Sequence, residues 1–243
     1  MSTSSRPSGP RALARERTME RIIELGNAQL AEQGVAGLSV REIARGLGVV
    51  SSAIYRYVGS RDELLTLLIV DGYTDLADVV DAAVAGVGAH GAAGDGDPRT
   101  RFLALGDAMC AWAIAHPERW TLLYGTPVRD YSAPAETTNA DGTRVMQAVL
   151  RIAADAAARG RAGAAGTEEG LAPAVTSLLE SHLDEFGIEA GAETEFAALT
   201  AWSSLVGVIS AHVFGQLGAD AVAVGEHILH SQVRMLAELI APR

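Results

Sequence analysis

Hydrogen-bond donors that suit phosphate groups are concentrated in one short stretch of this chain, residues 51–61 (SSAIYRYVGSR). Tyrosine hydroxyls, guanidinium groups and helix N-termini are the usual donors to the phosphates of duplex DNA. We therefore expect Tyr55, Tyr57 and Arg61 to bind a phosphate backbone. Arg61 would lie in the first turn of a helix that opens at Ser60, where unpaired N–H groups and the helix dipole also attract an anion.

Short side chains at the start of this stretch could approach base edges closely. Ser52 could hydrogen-bond to any base, and Ala53 suits a thymine methyl group. Ser51 is expected to cap the helix through backbone N–H groups, because Val50 occupies the preceding position, and Ser51 and Ser39 are both included among the predicted DNA-binding residues. Arg41 is the best remaining side chain for a guanine or a phosphate. Base contacts therefore predict only modest specificity.

A helix-turn-helix would present these residues to DNA. Ser39 and Glu42 have the spacing of a capping box, in which the serine accepts from an N–H at the helix start and the glutamate reaches back. One apolar stripe at helical spacing follows: Val40, Ile43, Ala44 and Leu47. Gly48 then allows a sharp turn. A second short helix over residues 51–57 would read the major groove.

This region resembles the DNA-binding module of TetR-type transcriptional regulators over about residues 17–70. The positions that match the family pattern are Ser39, Ile43, Ala44, Gly48, Val49, Tyr55, Tyr57, Arg61 and Leu64. Val50 and Val58 depart from it, since the family usually has Ser or Thr and Phe there. The resemblance implies an all-α chain with an N-terminal three-helix helix-turn-helix DNA-binding domain and a C-terminal helical ligand-binding and dimerisation domain. An ordinary helical hairpin with surface tyrosines is the simpler alternative.

The net charge of −11 at first argues against DNA binding, because a polyanion repels an acidic surface. Residues 1–62, however, hold nine Arg against six acidic residues, whereas residues 63–243 hold ten against 24. Positive charge therefore coincides with the helix-turn-helix. Residues 1–15 carry arginines among Ser, Pro and Gly and are predicted to be a disordered basic tail, either lying along DNA or solvated.

The rest of the chain predicts two further units, the helix-turn-helix domain at 16–62 and a helical effector-binding and dimerisation domain at 63–243. Helical segments are predicted at 17–33, from residue 60, at 98–116, from 117, at 145–158, around 178, at 193–217 and at 219–241. Residues 86–97 and 160–170 are Gly-rich linkers, and residues 126–143 are a turn-rich connection. No segment alternates like a strand.

Residues 115–140 and 201–218 resemble, more loosely, one effector-domain type of the same family. That resemblance implies a homodimer held by the last two long helices and a small-molecule pocket. The predicted dimer interface is Trp202, Leu205, Val206, Ile209 and Val213, with plain core packing as the alternative. The predicted ligand-binding residues are Trp112, Trp120, Tyr124, Tyr131 and Met146, for which core packing is also the alternative. The small-molecule effector would be mainly apolar.

Motifs for catalysis, cofactors and metals are missing from the sequence. It has no Gly-x-Ser-x-Gly, P-loop or His-Glu-x-x-His, and one cysteine, Cys110, which excludes an internal disulfide. His227 and His230 lie three apart on one helix, with His212 elsewhere, and are expected on a surface or interface rather than at a metal. No apolar run reaches the roughly 18 residues of a membrane span, which predicts a cytoplasmic protein without a membrane partner.

The sequence therefore predicts a homodimeric one-component transcriptional regulator, a repressor, that binds a palindromic double-stranded operator and is released by a small molecule. Two alternatives stay open. One is a ligand-independent or architectural DNA-binding protein, and the other is a small-molecule-binding or catalytic helical protein whose DNA module is vestigial.

Overall fold

The computed structural model describes residues 9–88, 96–128, 131–161 and 170–243, and these ranges are helical without any β-strand. The α-helices are α1 (Pro10–Gln33), α2 (Val40–Gly46), α3 (Ser51–Ile54), α4 (Arg61–Gly88), α5 (Pro98–Ala115), α6 (Pro117–Tyr124), α7 (Ala135–Gly142), α8 (Arg144–Ala158), α9 (Pro173–Phe186), α10 (Ala192–Val213), α11 (Ala219–Ala223) and α12 (Gly225–Ile240). A short 3-10 helix, Val35–Gly37, joins α1 to α2. The all-α prediction is confirmed.

The N-terminal domain packs α1, α2 and α3 around the first turns of α4. Its fully buried apolar side chains are Ile22, Leu30, Leu38, Val40, Ile43, Ala44, Ile54, Val58, Leu64, Leu65 and Leu68. Three of these belong to α4, because its apolar positions recur at helical spacing and face the hairpin. The domain boundary predicted at residue 62 therefore falls inside α4, a helix that this core needs.

The C-terminal domain surrounds the second half of α4 with α5, α8, α10 and α12. Its buried side chains include Leu76, Val80, Phe102, Leu105, Met109, Trp120, Val149, Ile152, Leu205, Ile209, Leu229 and Val233. Where α5 crosses α12, a Cβ added at Gly106 would come within 2.5 Å of a methyl group of Val233. Glycine thus permits the close approach of these two helices.

Two segments that the sequence predicts to be irregular are partly helical. Helix α1 begins at Pro10, so residues 10–15 of the predicted disordered tail are helical, and proline at the first helical position favours that start. Residues 135–142 of the predicted turn-rich connection form α7. The predicted last helix is divided into α11 and α12 at Val224. Residues 1–8 and the linker residues 89–95 and 162–169 lie outside the described residues.

Helix α10 corrects the expectation that no segment could span a membrane. By length and composition alone its 22 residues would suffice, with a mean hydropathy of 1.5. A core helix of a globular domain meets the same criteria, and Ala201, Leu205 and Ile209 of α10 are buried in the C-terminal core. Packing within the chain thus accounts for part of the hydropathy of α10, since 28% of its apolar window is buried.

We predict opposite stability effects for alanine at two helical glycines. Gly106→Ala should lower the free energy of unfolding by about 1–3 kcal/mol, because the added methyl group overlaps the stiff Val233 side chain. Gly86→Ala should raise it by about 0.5–1 kcal/mol, since a Cβ there meets nothing within 4 Å and helical glycine is entropically unfavourable. Urea unfolding measures both, and a stabilising Gly106→Ala would contradict the close crossing.

Candidate nucleic-acid interface

Ser39 fixes the start of α2 by one half of the predicted capping box. Its Oγ accepts from the N–H of Glu42 at 3.4 Å, while its own N–H donates to Oε1 of Gln29 at 3.0 Å. The Glu42 carboxylate pairs with Arg45 instead of reaching back. Because Ser39 accepts in the cap, its hydroxyl proton can still donate to a phosphate oxygen.

The turn between α2 and α3 depends on Gly48, whose φ of 70° is unfavourable for any residue with a Cβ. The N–H of Val49 donates to the carbonyl of Ala44 at 3.1 Å and closes the end of α2. Helix α3 is shorter than predicted, ending at Ile54 and continuing as a turn through Tyr57. Its N-cap is Val50 and it has no side-chain cap, so the expectation that Ser51 caps it is wrong.

The reading surface brings most of the predicted DNA-contacting residues together. Arg41, Ser51 and Ser52 are exposed, Tyr55 is 47% exposed, and Ala53 and Tyr57 are half-buried. Val50, which sequence reasoning treated only as a missing cap, is 71% exposed beside them. An exposed methyl-bearing side chain at the start of a reading helix suits contact with a thymine methyl group.

Arg61 has a partner within the protein that the sequence did not reveal. Its Nη2 donates to the carbonyl of Val35 at 2.6 Å and ties the start of α4 to the 3-10 helix. The N–H groups at this helix start are also used, because Glu63 N donates to Ser60 Oγ at 3.1 Å and Gly59 N donates to the Glu63 carboxylate at 2.6 Å. The Ser60-x-x-Glu63 spacing was the signal for this cap. The start of α4 is therefore a weaker phosphate site than expected.

A basic cleft beside the reading surface was missed by sequence reasoning. It measures about 400 Å³ and lies between α1 and α3, with Arg17, Arg21 and Arg56 along it and Tyr57 at its edge. Arg15 Nη1 donates to the carbonyl of Arg56 at 3.4 Å, and its guanidinium lies 5.2 Å from the centre of the Tyr57 ring. The extension of α1 to Pro10 places Arg15 beside α3, next to Arg17 and Arg21 of the predicted helix. Guanidinium groups around a cleft are suited to a phosphate.

The predicted ligand-binding aromatic residues do not share a cavity. Trp112 and Trp120 are buried, and their indole N–H groups donate to Asp75 at 2.9 Å and to Ser210 at 3.1 Å. Tyr124 stacks 4.4 Å from Trp120, and burial raises the pKa of its phenol, so it stays neutral. These three side chains are packed in the domain core, the alternative that the sequence left open.

Tyr131 and Met146 lie at two different places. Tyr131 packs against the N-terminal core, and its hydroxyl is 2.9 Å from Oγ1 of Thr66. Met146 lines a cavity of about 460 Å³ between α7, α8, α9 and α10. Other lining residues are Leu150, Leu179, Phe186, Glu195 and Leu199. Of the five predicted ligand-binding residues, only Met146 faces this cavity.

A second cleft, of about 590 Å³, lies between α5 and α12. His230 Nδ1 is 3.0 Å from a carboxylate oxygen of Asp107, and burial together with Asp107 raises the pKa of the Cys110 thiol to about 12. Because of this raised pKa, Cys110 is a thiol rather than a reactive thiolate. Within the described ranges, His, Cys, Asp and Glu side chains form no group of three that could hold a metal ion.

The predicted dimer-interface residues are placed mainly inside the protomer. Leu205 and Ile209 are fully buried in the C-terminal core and have no surface for a second copy. Trp202, Val206 and Val213 are half-buried against the same core, with the Trp202 ring 6.1 Å from Tyr124. Helical periodicity identified an apolar face correctly, but that face is covered within the chain.

An exposed helix-turn-helix joined by one long helix to a separate helical core defines a two-domain, DNA-binding transcriptional regulator. Residues 22–68 match the family model for bacterial regulatory proteins of the tetR family, and residues 102–236 match that for the tetracyclin repressor-like C-terminal domain. The chain belongs to the TetR family. Members named among its relatives are transcriptional regulators, not enzymes.

Known relatives extend over nearly the whole chain. The HTH-type transcriptional regulators Rv1816 of Mycobacterium tuberculosis and Mb1846 of Mycobacterium bovis are each 43% identical over 235 residues, covering 96% of this chain and 96% of the relative. Among solved structures, the protein SCO4313 has a TM-score of 0.70 at 28% identity, covering 94% of this chain and 98% of that one. The transcriptional regulator FadR from Bacillus subtilis, in complex with stearoyl-CoA, shares the fold with a TM-score of 0.53 at 14% identity over 91% of this chain and 98% of that one.

We predict that Arg56, rather than Arg61, supplies a phosphate contact. Arg56→Ala should lower the slope of log affinity against log salt by about one unit on specific and random DNA alike, because one counterion-releasing contact is lost. Arg61→Ala should instead lower the melting temperature, since it removes the bond to Val35. Arg151→Ala, an exposed arginine on α8, is the matched control for charge. If folded Arg56→Ala kept the wild-type slope of log affinity against log salt, the cleft would not be part of the DNA interface.

Proposed function

We propose that the protein is a homodimeric one-component repressor that acts in the cytoplasm, binds a palindromic operator and releases it when a small molecule occupies the C-terminal domain. The observation that carries this proposal is the exposed reading surface at residues 50–57 beside the arginine-lined cleft. A dimer on a promoter would block polymerase without any further contact, so repression is the simplest consequence. The helix-turn-helix domain of one protomer, the head, contacts too few bases for useful specificity, and a second copy doubles the number of base contacts.

Two surface stripes support the dimer. At the N-cap of α12 and along the helix, Val224, Met235 and Leu239 are exposed and Ile228 is half-buried between them, all within one helical face. On α10, small residues line the outward face: Thr200, Ser204, Gly207 and Ala211. A Cβ at Gly207 would meet nothing within 4 Å. Because both stripes flank the contact between α10 and α12, a two-fold partner could pack its own pair on them as a four-helix bundle.

The cavity behind Met146 is the proposed effector site. Its volume suits a small molecule, and its lining is mainly apolar, including Leu179, Phe186 and Leu199. Glu195 adds a carboxyl group that is only 5% exposed. The effector is thus expected to have a largely apolar body with a polar group toward Glu195. The cleft between α5 and α12 is the competing location, and dye binding separates the two.

The dimer and the operator are tested together. Selection of genomic fragments bound by the full chain should enrich an inverted repeat, and Met235→Glu should yield a folded monomer that no longer binds it, because charge on the stripe opposes burial. Val79→Glu, which adds the same charge at an exposed apolar position on α4, outside both stripes, should remain a dimer. Sedimentation velocity and far-UV circular dichroism measure both variants. A monomeric Met235→Glu with wild-type operator affinity would overturn the two-fold model.

The effector cavity is tested with N-phenyl-1-naphthylamine, a neutral apolar dye that fluoresces when bound. Met146→Trp should fill the cavity between α8 and α10 and reduce dye affinity at least about tenfold, the scale of about 1.4 kcal/mol of lost burial. Ala111→Trp fills the cleft between α5 and α12 instead and should leave dye affinity unchanged. The reverse pattern would assign the site to the second cleft.

A further inference from the structure

A largely buried polar cluster centred on Arg119 of α6 lies where the two domains meet. The Arg119 side chain is only 14% exposed. Its Nη2 donates to the Asp71 carboxylate at 2.8 Å, and its Nη1 donates to the Asp75 carboxylate at 2.7 Å. Asp71 and Asp75 are one turn apart on α4, so one planar guanidinium bridges both. This planar geometry is specific to arginine.

The cluster extends into both domains. The same Asp71 oxygen, Oδ2, also accepts from Nδ2 of Asn27 at 3.0 Å, and Asn27 belongs to α1. On the other side, Oδ2 of Asp75 accepts from the Trp112 indole at 2.9 Å, and the Arg119 guanidinium lies 5.3 Å from the Trp112 ring. Four helices are joined in this way, one from the helix-turn-helix domain, two from the C-terminal domain, and α4, which belongs to both.

The helices around the cluster are packed closely. A Cβ at Gly26, next to Asn27, would come within 2.9 Å of Leu68 on α4. A Cβ at Gly72, next to Asp71, would come within 3.2 Å of Leu123 on α6. Displacement of α6 is therefore transmitted to α4 and α1, because close-packed interiors have little room to absorb it.

One hydrogen bond between α6 and α10 connects the cluster to the proposed effector cavity. Trp120, the neighbour of Arg119 on α6, donates to Ser210 of α10 at 3.1 Å. Helix α10 also supplies Glu195 and Leu199 to the cavity wall. A ligand that shifts α10 would act on α6 through this bond, and Arg119 would carry the shift to Asp71 and Asn27.

We propose that Arg119 is a positioning residue for DNA binding. It holds the helix-turn-helix domain at a fixed angle on the C-terminal domain and so sets the separation of the two reading helices in the dimer. This proposal rests on the proposed function, because separation has meaning only for a dimer on a two-fold operator. Half-site spacing in such operators mirrors the geometry of the protein.

The test measures affinity against a series of operators whose half-sites are moved together or apart by one or two base pairs. The full-length wild type should bind its best spacing at least about tenfold more tightly than the displaced ones. Arg119→Met should lose affinity at the best spacing and reduce the preference to within about threefold, because a helix-turn-helix domain held less firmly accepts several spacings. Arg119→Lys keeps the charge without bridging both carboxylates and should give the same flattened profile.

The matched control is Arg101→Met, which removes a comparably buried arginine paired with Asp155 inside the C-terminal domain. Arg101→Met should lower the melting temperature and keep the spacing preference. General destabilisation or a lost positive charge would reduce the affinity for operators of every spacing by the same factor. Asn27→Ala removes the opposite end of the cluster and is the second test variant if Arg119 variants fail to fold. It should also reduce the preference for one operator spacing.

The outcomes separate this proposal from the one on which it rests. A wild type that binds no inverted repeat overturns the proposed function and the positioning role with it. A wild type that prefers one spacing, together with folded Arg119→Lys and Asn27→Ala dimers that keep the same preference, overturns the positioning role alone.

Discussion

The structure depends on the burial of one helix, α4, in two separate hydrophobic cores. Leu64, Leu65 and Leu68 belong to the N-terminal core, whereas Leu76 and Val80 belong to the C-terminal core. At 28 residues the helix is about 42 Å long. A continuous helix curves only gently, and a sharp kink would disrupt its backbone hydrogen bonds. The orientation of the head is therefore determined by whatever fixes the contacts of α1 and α6 along α4.

Acidic residues along α4 show which polar contacts can have that role. Asp78 and Asp81 both pair with Arg144, but all three side chains are substantially exposed, and such surface pairs contribute about 0–1 kcal/mol at most. Asp71 and Asp75 pair with Arg119, whose side chain is 14% exposed, but their own side chains are 30% and 43% exposed. Removal of one partner should therefore cost less than the about 3–5 kcal/mol typical of a fully buried pair, and more than loss of a surface pair. The two sets look alike in sequence, and the burial of the arginine distinguishes them.

Local signals were sufficient to predict the helix-turn-helix and the start of α5 from the sequence, because Ser39 and Gly48 in the first and Asp97 with Pro98 in the second act on the backbone within a few residues. Partners distant in sequence were not predictable. Apolar spacing identified the face of α10 that holds Leu205 and Ile209, but periodicity does not say whether the same chain or a second copy covers a face. Likewise, nothing near Arg61 indicated that the carbonyl of Val35 would take its guanidinium.

The proposed regulation requires little energy for a large effect. An effector that lowers operator affinity tenfold needs to favour the DNA-incompetent arrangement by about 1.4 kcal/mol, and the operator must then weaken effector binding by the same factor. Asp71 offers a place for that difference to arise, since a single carboxylate oxygen serves both Asn27 of the head and Arg119 of the C-terminal domain. A shift of α6 that lengthens one of these bonds changes the other. Coupling between the domains then follows from one shared acceptor, without any rearrangement of either hydrophobic core.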